Sequence, residues 1–208
     1  MIFEQIPVGQ MQNFAYVIGD EKSKEAAVVD PAWENNKILK IIKKYDLKIN
    51  KILVTHTDFD HIEGVKEIFD MTNAAVYVHK NGEKDIKNLG INKINTIAEG
   101  DEIDIGKIKI SVLSTPGHKP SCVCFLVGTD KLLTGDTLFV EGCGRVDMPG
   151  GNIKKQYESL QRLKQMYENI EVYPGHDYGS IPHSTIKHEK ENNPFLRCKS
   201  FEEFADIR

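Results

Sequence analysis

Four times along this 208-residue chain a short apolar run ends directly in a cluster containing histidine or aspartate. Ile52-Leu-Val54 leads into Thr55-His-Thr-Asp-Phe-Asp-His61, and Val112-Leu113 into Thr115-Pro-Gly-His118. Leu132-Leu133 leads into Thr134-Gly-Asp136, and Val172-Tyr173 into Pro174-Gly-His176-Asp177-Tyr178. Short apolar runs bounded by Gly, Pro and polar residues read as buried strands. Polar residues just past strand ends are where α/β folds keep their sites, since the sheet holds rigid what the loop must present.

The remaining elements fit such a fold. Phe14–Ile18 and Ala26–Val29 read as strands ending in the turns Gly19-Asp20 and Asp30-Pro31, and Ala75–Val78 as another. Helical spacing places Ile38, Ile41, Ile42 and Tyr45 on one face of 36–45, and Val65, Ile68 and Phe69 on one side of 64–71. Alternation on both sides of Gly106-Lys107 predicts a hairpin over 101–113, and 121–127 and 131–133 predict two more strands. An amphipathic helix is expected over 152–167, a last strand over 170–173, and a partly helical polar tail from Ser180. The pattern is mixed α/β, with βα units beside hairpins, in one domain spanning 1–208.

Composition narrows the function by exclusion. Hydrophobic residues make up 40% and charged residues 28%, the balance of a globular protein. A net charge of −4 offers no overall attraction for nucleic acid or an anionic membrane surface, so neither is expected as a partner. The start of the chain lacks the basic and apolar regions of a signal peptide, and no apolar run is long enough to span a bilayer. Cys122, Cys124, Cys143 and Cys198 include no Cys-x-x-Cys pair, which suits a reduced, cytoplasmic protein.

His56, Asp58, Asp60 and His61 crowd four donors into six residues without a compensating lysine or arginine. Carboxylates held this close repel unless a cation or proton intervenes. A solvated loop would also tolerate them, and a lone Pro-Gly-His or Gly-Asp is more often a turn. All four clusters together, each following a strand, favour a metal. Imidazole plus carboxylate suits zinc, iron or manganese better than calcium or magnesium. Seven candidate donors exceed the four of a closed structural zinc site, which suggests two adjacent divalent ions sharing a carboxylate.

These motifs, with Asp30-Pro31, Thr134-Gly-Asp-Thr-Leu-Phe139, Gly142-Cys-Gly-Arg145 and Tyr173-Pro-Gly-His176, resemble in order those of the metallo-β-lactamase superfamily over residues 10–196. Within it the chain is most similar to glyoxalase II-like hydrolases and to their relatives, the persulfide dioxygenases. The resemblance implies an αββα sandwich with the metals at one edge of the two sheets. It implies that His56, the residue at 58, His118 and Asp136 bind one ion, that Asp60, His61, Asp136 and His176 bind the other, and that Asp136 bridges. The usual motif is His-x-His-x-Asp-His, and Asp58 replaces its second histidine; a harder, charged donor there tilts preference from zinc toward iron or manganese. In persulfide dioxygenases a single iron uses the positions of His56, His118 and Asp136 alone. The match to glyoxalase II also implies substrate contacts from Arg145 and Tyr178, the alternatives being an Arg145–Asp147 pair and ordinary packing of Tyr178. Glyoxalase II carries further glutathione contacts on a C-terminal helical extension that this sequence does not match.

Among the other residues, Asp177 is expected to orient a ligand histidine. Cys122 and Cys124 are expected in the core, and Cys143 near the site as a filler or a reactive thiol. His79, His183 and His188 are expected at the surface or behind the ligands. The resemblance implies a metallo-hydrolase that attacks a thioester or related acyl bond of a small molecule, a thiol conjugate being one candidate. The alternatives are a mononuclear iron persulfide dioxygenase and a non-catalytic metal-binding module.

Overall fold

The structure, a computed structural model, describes residues 1–207. One six-stranded sheet runs in chain order through β1 (Ile2–Val8), β2 (Asn13–Gly19), β3 (Glu25–Val29), β4 (Lys48–Leu53), β5 (Ala75–His79) and β6 (Ile94–Ile97). The second contains β7 (Glu102–Ile105), β8 (Ile108–Ser114), β9 (Val123–Val127), β10 (Lys131–Gly135), β11 (Glu171–Pro174) and β12 (Ser184–Thr185), also in chain order across the sheet. The first sheet pairs antiparallel from β1 to β3 and parallel from β3 to β6. The second is antiparallel except for β10–β11.

Each parallel step needs a crossover. Helices α1 (Asn35–Tyr45), α2 (Phe59–Ile62), α3 (Val65–Thr72) and α4 (Glu83–Asn88) lie in the crossovers of the first sheet, and α5 (Ile153–Lys164) in that of the second. Asn152 starts α5 by accepting from Lys155 N at 2.9 Å. The tail forms α6 (Ile186–Asn192), α7 (Pro194–Arg197) and α8 (Phe201–Asp206).

Three apolar clusters show the layering. Strand residues face alternate sides, so in β2 Ala15 and Val17 join a cluster with Ile38, Val65, Ile68 and Ile86 from the helices. Phe14, Tyr16 and Ile18 join a second cluster with Ile110, Val112, Phe125 and Leu133 of the other sheet. The outer face of that sheet packs Cys124, Leu132 and Val172 against Leu160, Leu163, Ile186, Leu196 and Phe204. The order is helices, sheet, sheet, helices, as expected. Among the described residues no helix is long and apolar enough to cross a membrane.

The expected strands and long helices form, with shifted ends. The helix expected over 152–167 stops at Lys164, and the strand expected from Ser121 starts at Val123. Elements without a legible signal include edge strand β1, where Pro7 and half-buried polar residues blur the alternation, the short α2, α4, β6 and the two-residue β12.

Candidate metal centre

The ends of the expected strands meet between the two sheets. Val123 N donates to Thr55 O at 2.9 Å, Gly175 N to Gly135 O at 2.9 Å, and Phe14 N to Gly175 O at 2.8 Å. Gly135 adopts φ +47°, and a Cβ there would stand 2.5 Å from Thr55 Oγ1. The turn before Asp136 thus requires both the conformation and the size of glycine.

All four cluster histidines are buried and anchored through Nδ1. His118 Nδ1 bonds Arg145 O at 2.7 Å and His176 Nδ1 bonds Met11 O at 2.8 Å. His61 Nδ1 lies 3.2 Å from Asp30 Oδ2. Thr55 Oγ1 donates to Asp30 Oδ2 at 2.6 Å, so it accepts from His56 Nδ1 at 3.1 Å. With Nδ1 donating in each ring, every Nε2 is directed inward, the way a metal-binding histidine is oriented by its outer partner.

Asp136 lies among these nitrogens. Its Oδ1 is 3.3 Å from His61 Nε2, and its Oδ2 is 3.4, 3.9 and 4.0 Å from the Nε2 atoms of His176, His118 and His56. Asp60 Oδ2 lies 3.3 Å from His176 Nε2 and 3.5 Å from His61 Nε2, and Asn13 Nδ2 holds it at 3.0 Å. Asp58 Oδ2 is 2.9 Å from His118 Nε2 and 3.7 Å from His56 Nε2, while its Oδ1 takes Lys119 Nζ at 2.5 Å. Asp58 occupies the N-cap position of α2 without capping it, so both oxygens serve these contacts.

The donor set fits a divalent cation. Ligand atoms of His56, His118 and Asp136 lie within 4.8 Å of one another, as do those of Asp60, His61 and His176. His56 Nε2 and Asp136 Oδ1 are buried with no hydrogen-bond partner, a state that otherwise costs about 1–3 kcal/mol per group. His61 Nε2 and His176 Nε2 face each other at 3.2 Å, two lone pairs that need a cation or a proton between them.

The electrostatics agree. Burial opposes charge on His176, but hydrogen bonds to Asp136 and Asp60 outweigh it and hold its pKa up at about 9. Burial likewise opposes charge on His61, and Asp136 and Asp30 overcome it and raise its pKa well above the usual value. Burial and then neighbouring His61 push His56 down to about 4. Burial works against ionised Asp60, yet the bond from His176 and the charge of His61 bring it to about 2. Asp58 and Asp136 are likewise held low against burial, Asp58 chiefly by hydrogen bonds from His118 and Lys119, Asp136 by the charges of His61 and His56.

Asp58, Asp60, His118, Asp136 and His176 floor a cavity of about 340 Å³, with His56 and His61 buried against them, and its walls include Met11, Phe59, Phe139, Cys143, Arg145, Met148 and Tyr178. All seven expected ligands therefore converge. Arg145 reaches the wall, but its guanidinium is engaged by Asp147 at 2.7 and 2.6 Å, the pairing that was its alternative. Tyr178 stacks on His176, with centroids 4.5 Å apart and planes at 11°. Asp177, expected to orient a ligand histidine, is exposed, and the four histidines are held by other groups, His176 by the carbonyl of Met11. His79 is buried and accepts from Asn81 N at 3.2 Å; His183 stacks on Tyr173, and His188 bonds Glu141. Burial raises the Cys122 thiol pKa well above the usual value and the Cys124 one to about 11, as core cysteines should show. Asn13, Met11 and Lys119 carried no sequence signal of their site contacts. The Asp30-Pro31 motif did mark the residue that anchors His61 and Thr55.

Fold and site together define a two-sheet α/β protein with a buried cluster of histidines and carboxylates that can hold divalent metal. The chain belongs to the metallo-beta-lactamase superfamily, a superfamily of metal-dependent hydrolases, whose sequence profile matches residues 8–176. It is 32% identical to a probable polyketide biosynthesis zinc-dependent hydrolase, PksB, of Bacillus subtilis, over 94% of this chain and 87% of that one. A hydroxyacylglutathione hydrolase of Francisella philomiragia is 35% identical over 81% of this chain and 64% of its own length. The crystal structure of ETHE1 from Myxococcus xanthus superposes with a TM-score of 0.90 at 35% identity, covering 100% of this chain and 89% of that one.

Proposed function

We propose that this protein is a metal-dependent hydrolase acting on a thioester or related acyl bond of a small molecule. The observation that carries this reading is the position of Asp136, whose two oxygens lie 3.3 to 4.0 Å from the Nε2 atoms of all four histidines. A carboxylate so placed can serve two ion positions, His56, Asp58 and His118 completing one and Asp60, His61 and His176 the other. The harder oxygen of Asp58 makes iron or manganese as suitable as zinc. When bound, such ions supply a water acidified toward neutrality and stabilise a developing oxyanion.

The remaining work falls to the protein's own side chains. The anchored Nδ1 atoms keep the four imidazoles from turning, so the donors are preorganised. Phe59, Met11, Met148 and Tyr178 border the cavity and shield a substrate carbonyl from bulk water. Tyr178 adds a stacked wall against His176. The similarity to a hydroxyacylglutathione hydrolase and to a probable zinc-dependent hydrolase supports hydrolysis.

One observation favours a second reading. His56, His118 and Asp136 alone form a two-histidine, one-carboxylate group within 4.8 Å, the set used by non-haem iron oxygenases. The likeness to ETHE1, named a persulfide dioxygenase in Mus musculus, supports a mononuclear iron persulfide dioxygenase. Metal analysis of protein purified without chelators separates the two. About two ions per chain, with thiol release from an acyl thioester, supports the hydrolase; one iron per chain, with oxygen uptake on adding a persulfide, overturns it.

A further inference from the structure

The cavity above the ligands has an apolar side that metal binding does not explain. Among the described residues, nine large hydrophobic side chains are exposed, and four of them, Met11, Phe59, Met148 and Tyr178, border this one cavity. Scattered exposed hydrophobics are ordinary, whereas such convergence marks a binding surface. Phe59 is 61% exposed, although it sits between Asp58 and Asp60.

The apolar side continues. Met11 also borders a neighbouring hollow of about 760 Å³ with Gly9, Gln10, Trp33 and Glu34. Trp33 meets Phe59 edge-on at 6.2 Å, so the two rings join the hollows. A Cβ on Gly9 would stand 2.1 Å from the Trp33 ring, so the glycine seats that ring. The carboxylate of Glu34 is occupied by Gly9 N and Lys37 Nζ, both at 2.9 Å.

The other exit is mixed and carries the charged groups. Arg145 borders both the metal cavity and a hollow of about 820 Å³ shared with Asp147 and Asn152 on one side and Val146, Ile153 and Ala205 on the other. The Arg145–Asp147 fork leaves little net charge there to hold a substrate carboxylate.

We infer that the substrate is a thioester with an apolar acyl chain, the chain lying along Phe59, Met11 and Trp33 while the polar thiol portion leaves past Arg145. This rests on the hydrolase reading above. A thiol portion that bears amides or charge finds polar partners only at the exit with Arg145, Asp147 and Asn152, whereas the acyl arm fits the one walled by Trp33 and Met11. In the reaction the oxygen of water bonds to the acyl carbon and the C–S bond breaks with its electron pair going to sulfur. The products are a carboxylate, a thiol and one proton, with no change of oxidation state.

The test uses metal-loaded protein and N-acetylcysteamine thioesters from acetyl to decanoyl, with succinyl as the charged comparison. kcat/KM should rise with chain length, by up to about fourfold per methylene removed from water. Phe59→Ser and Met11→Ser, both at exposed positions beside Trp33, should flatten that gradient. Met71→Ser, exposed on α3, should leave it unchanged. Trp33 is the only tryptophan, so its fluorescence reports occupancy without turnover, and octanoate should shift it where acetate and succinate do not. Thioester hydrolysis that ignores chain length or prefers succinyl overturns the apolar arm and leaves the hydrolase standing. Octanoate binding at Trp33 without hydrolysis of any thioester supports the apolar arm and overturns the hydrolase. Neither binding nor hydrolysis overturns both.

Discussion

Gly175→Ala tests whether the position of Asp136 governs metal binding. The φ of Gly175 lies outside the left-handed region, so alanine suits the backbone and only space opposes it. A Cβ there would stand 2.5 Å from Asp136 Oδ1, 2.9 Å from His61 Cε1 and 3.0 Å from Gly135 C. Carbon and oxygen in contact settle at roughly 3.3 Å, so Asp136 Oδ1 must retreat by about 0.8 Å. Metal–ligand distances tolerate about 0.2 Å, and the moved carboxylate is the one placed to serve both ions. Metal affinity should therefore fall on the order of 100-fold, the upper end for a disturbed outer shell. Overpacking should cost the metal-free protein about 1–3 kcal/mol. Chelator competition measures the first effect, and thermal unfolding of the metal-free protein the second. A variant that keeps two ions at the parent affinity would refute the reasoning, because the methyl would then fit without moving Asp136.

Asp136→Ala should lose both ions and Asp58→Ala at most one, read as metal per chain by mass spectrometry; equal contents would contradict the shared role of Asp136. Lys119→Met removes a cation 2.5 Å from Asp58 Oδ1 and should tighten divalent-ion binding about tenfold by calorimetric titration, after allowance for partial exposure of the pair. Unchanged or weaker binding would contradict that. Raised pKa values at His61 and His176, the latter about 9, mean that an entering ion displaces protons, so metal affinity should increase from pH 6.5 to 9 with proton release in weak buffer. The same two groups stabilise the metal-free fold fully below the unfolded histidine pKa near 6.5 and lose that contribution as pH rises through 9, so the gap in Tm between metal-loaded and metal-free protein should widen over that range.

The donors were legible because each follows a buried strand: the apolar run fixes the element and the abrupt His or Asp cannot continue a core. Distances across the chain were not legible. Met11 reaches His176 across 165 positions and Asn13 reaches Asp60 across 47, and no local pattern encodes such a meeting. A carboxylate next to a cluster histidine reads locally as one that orients a ligand histidine, which is what the sequence suggests for Asp177. The fold instead brings up the backbone of Met11, whose carbonyl would accept whatever side chain stood at that position. Strand β1 is not legible for a related reason: at the edge of a sheet, burial is partial and hydrophobic alternation weakens. Conversely, β2 is buried along its whole length because both of its faces meet cores, and it reads plainly from its apolar residues.

Asp58 and Lys119 bear on the metal through charge. A carboxylate in place of the histidine usual in the resembling families adds one negative charge to a floor that already holds Asp60 and Asp136. Lys119, directly after His118 in sequence, returns a positive charge to the Asp58 oxygen that faces away from the imidazoles, while the other oxygen stays 2.9 Å from His118 Nε2. The pair carries no net charge and presents a single donor atom to the cluster, as an imidazole would. Added charge would strengthen binding of any divalent ion alike, so neutralising it leaves donor chemistry to discriminate. The remaining difference from histidine is a hard oxygen where a borderline nitrogen would be, and under the proposed metal-dependent function that difference would tilt preference from zinc toward iron and manganese.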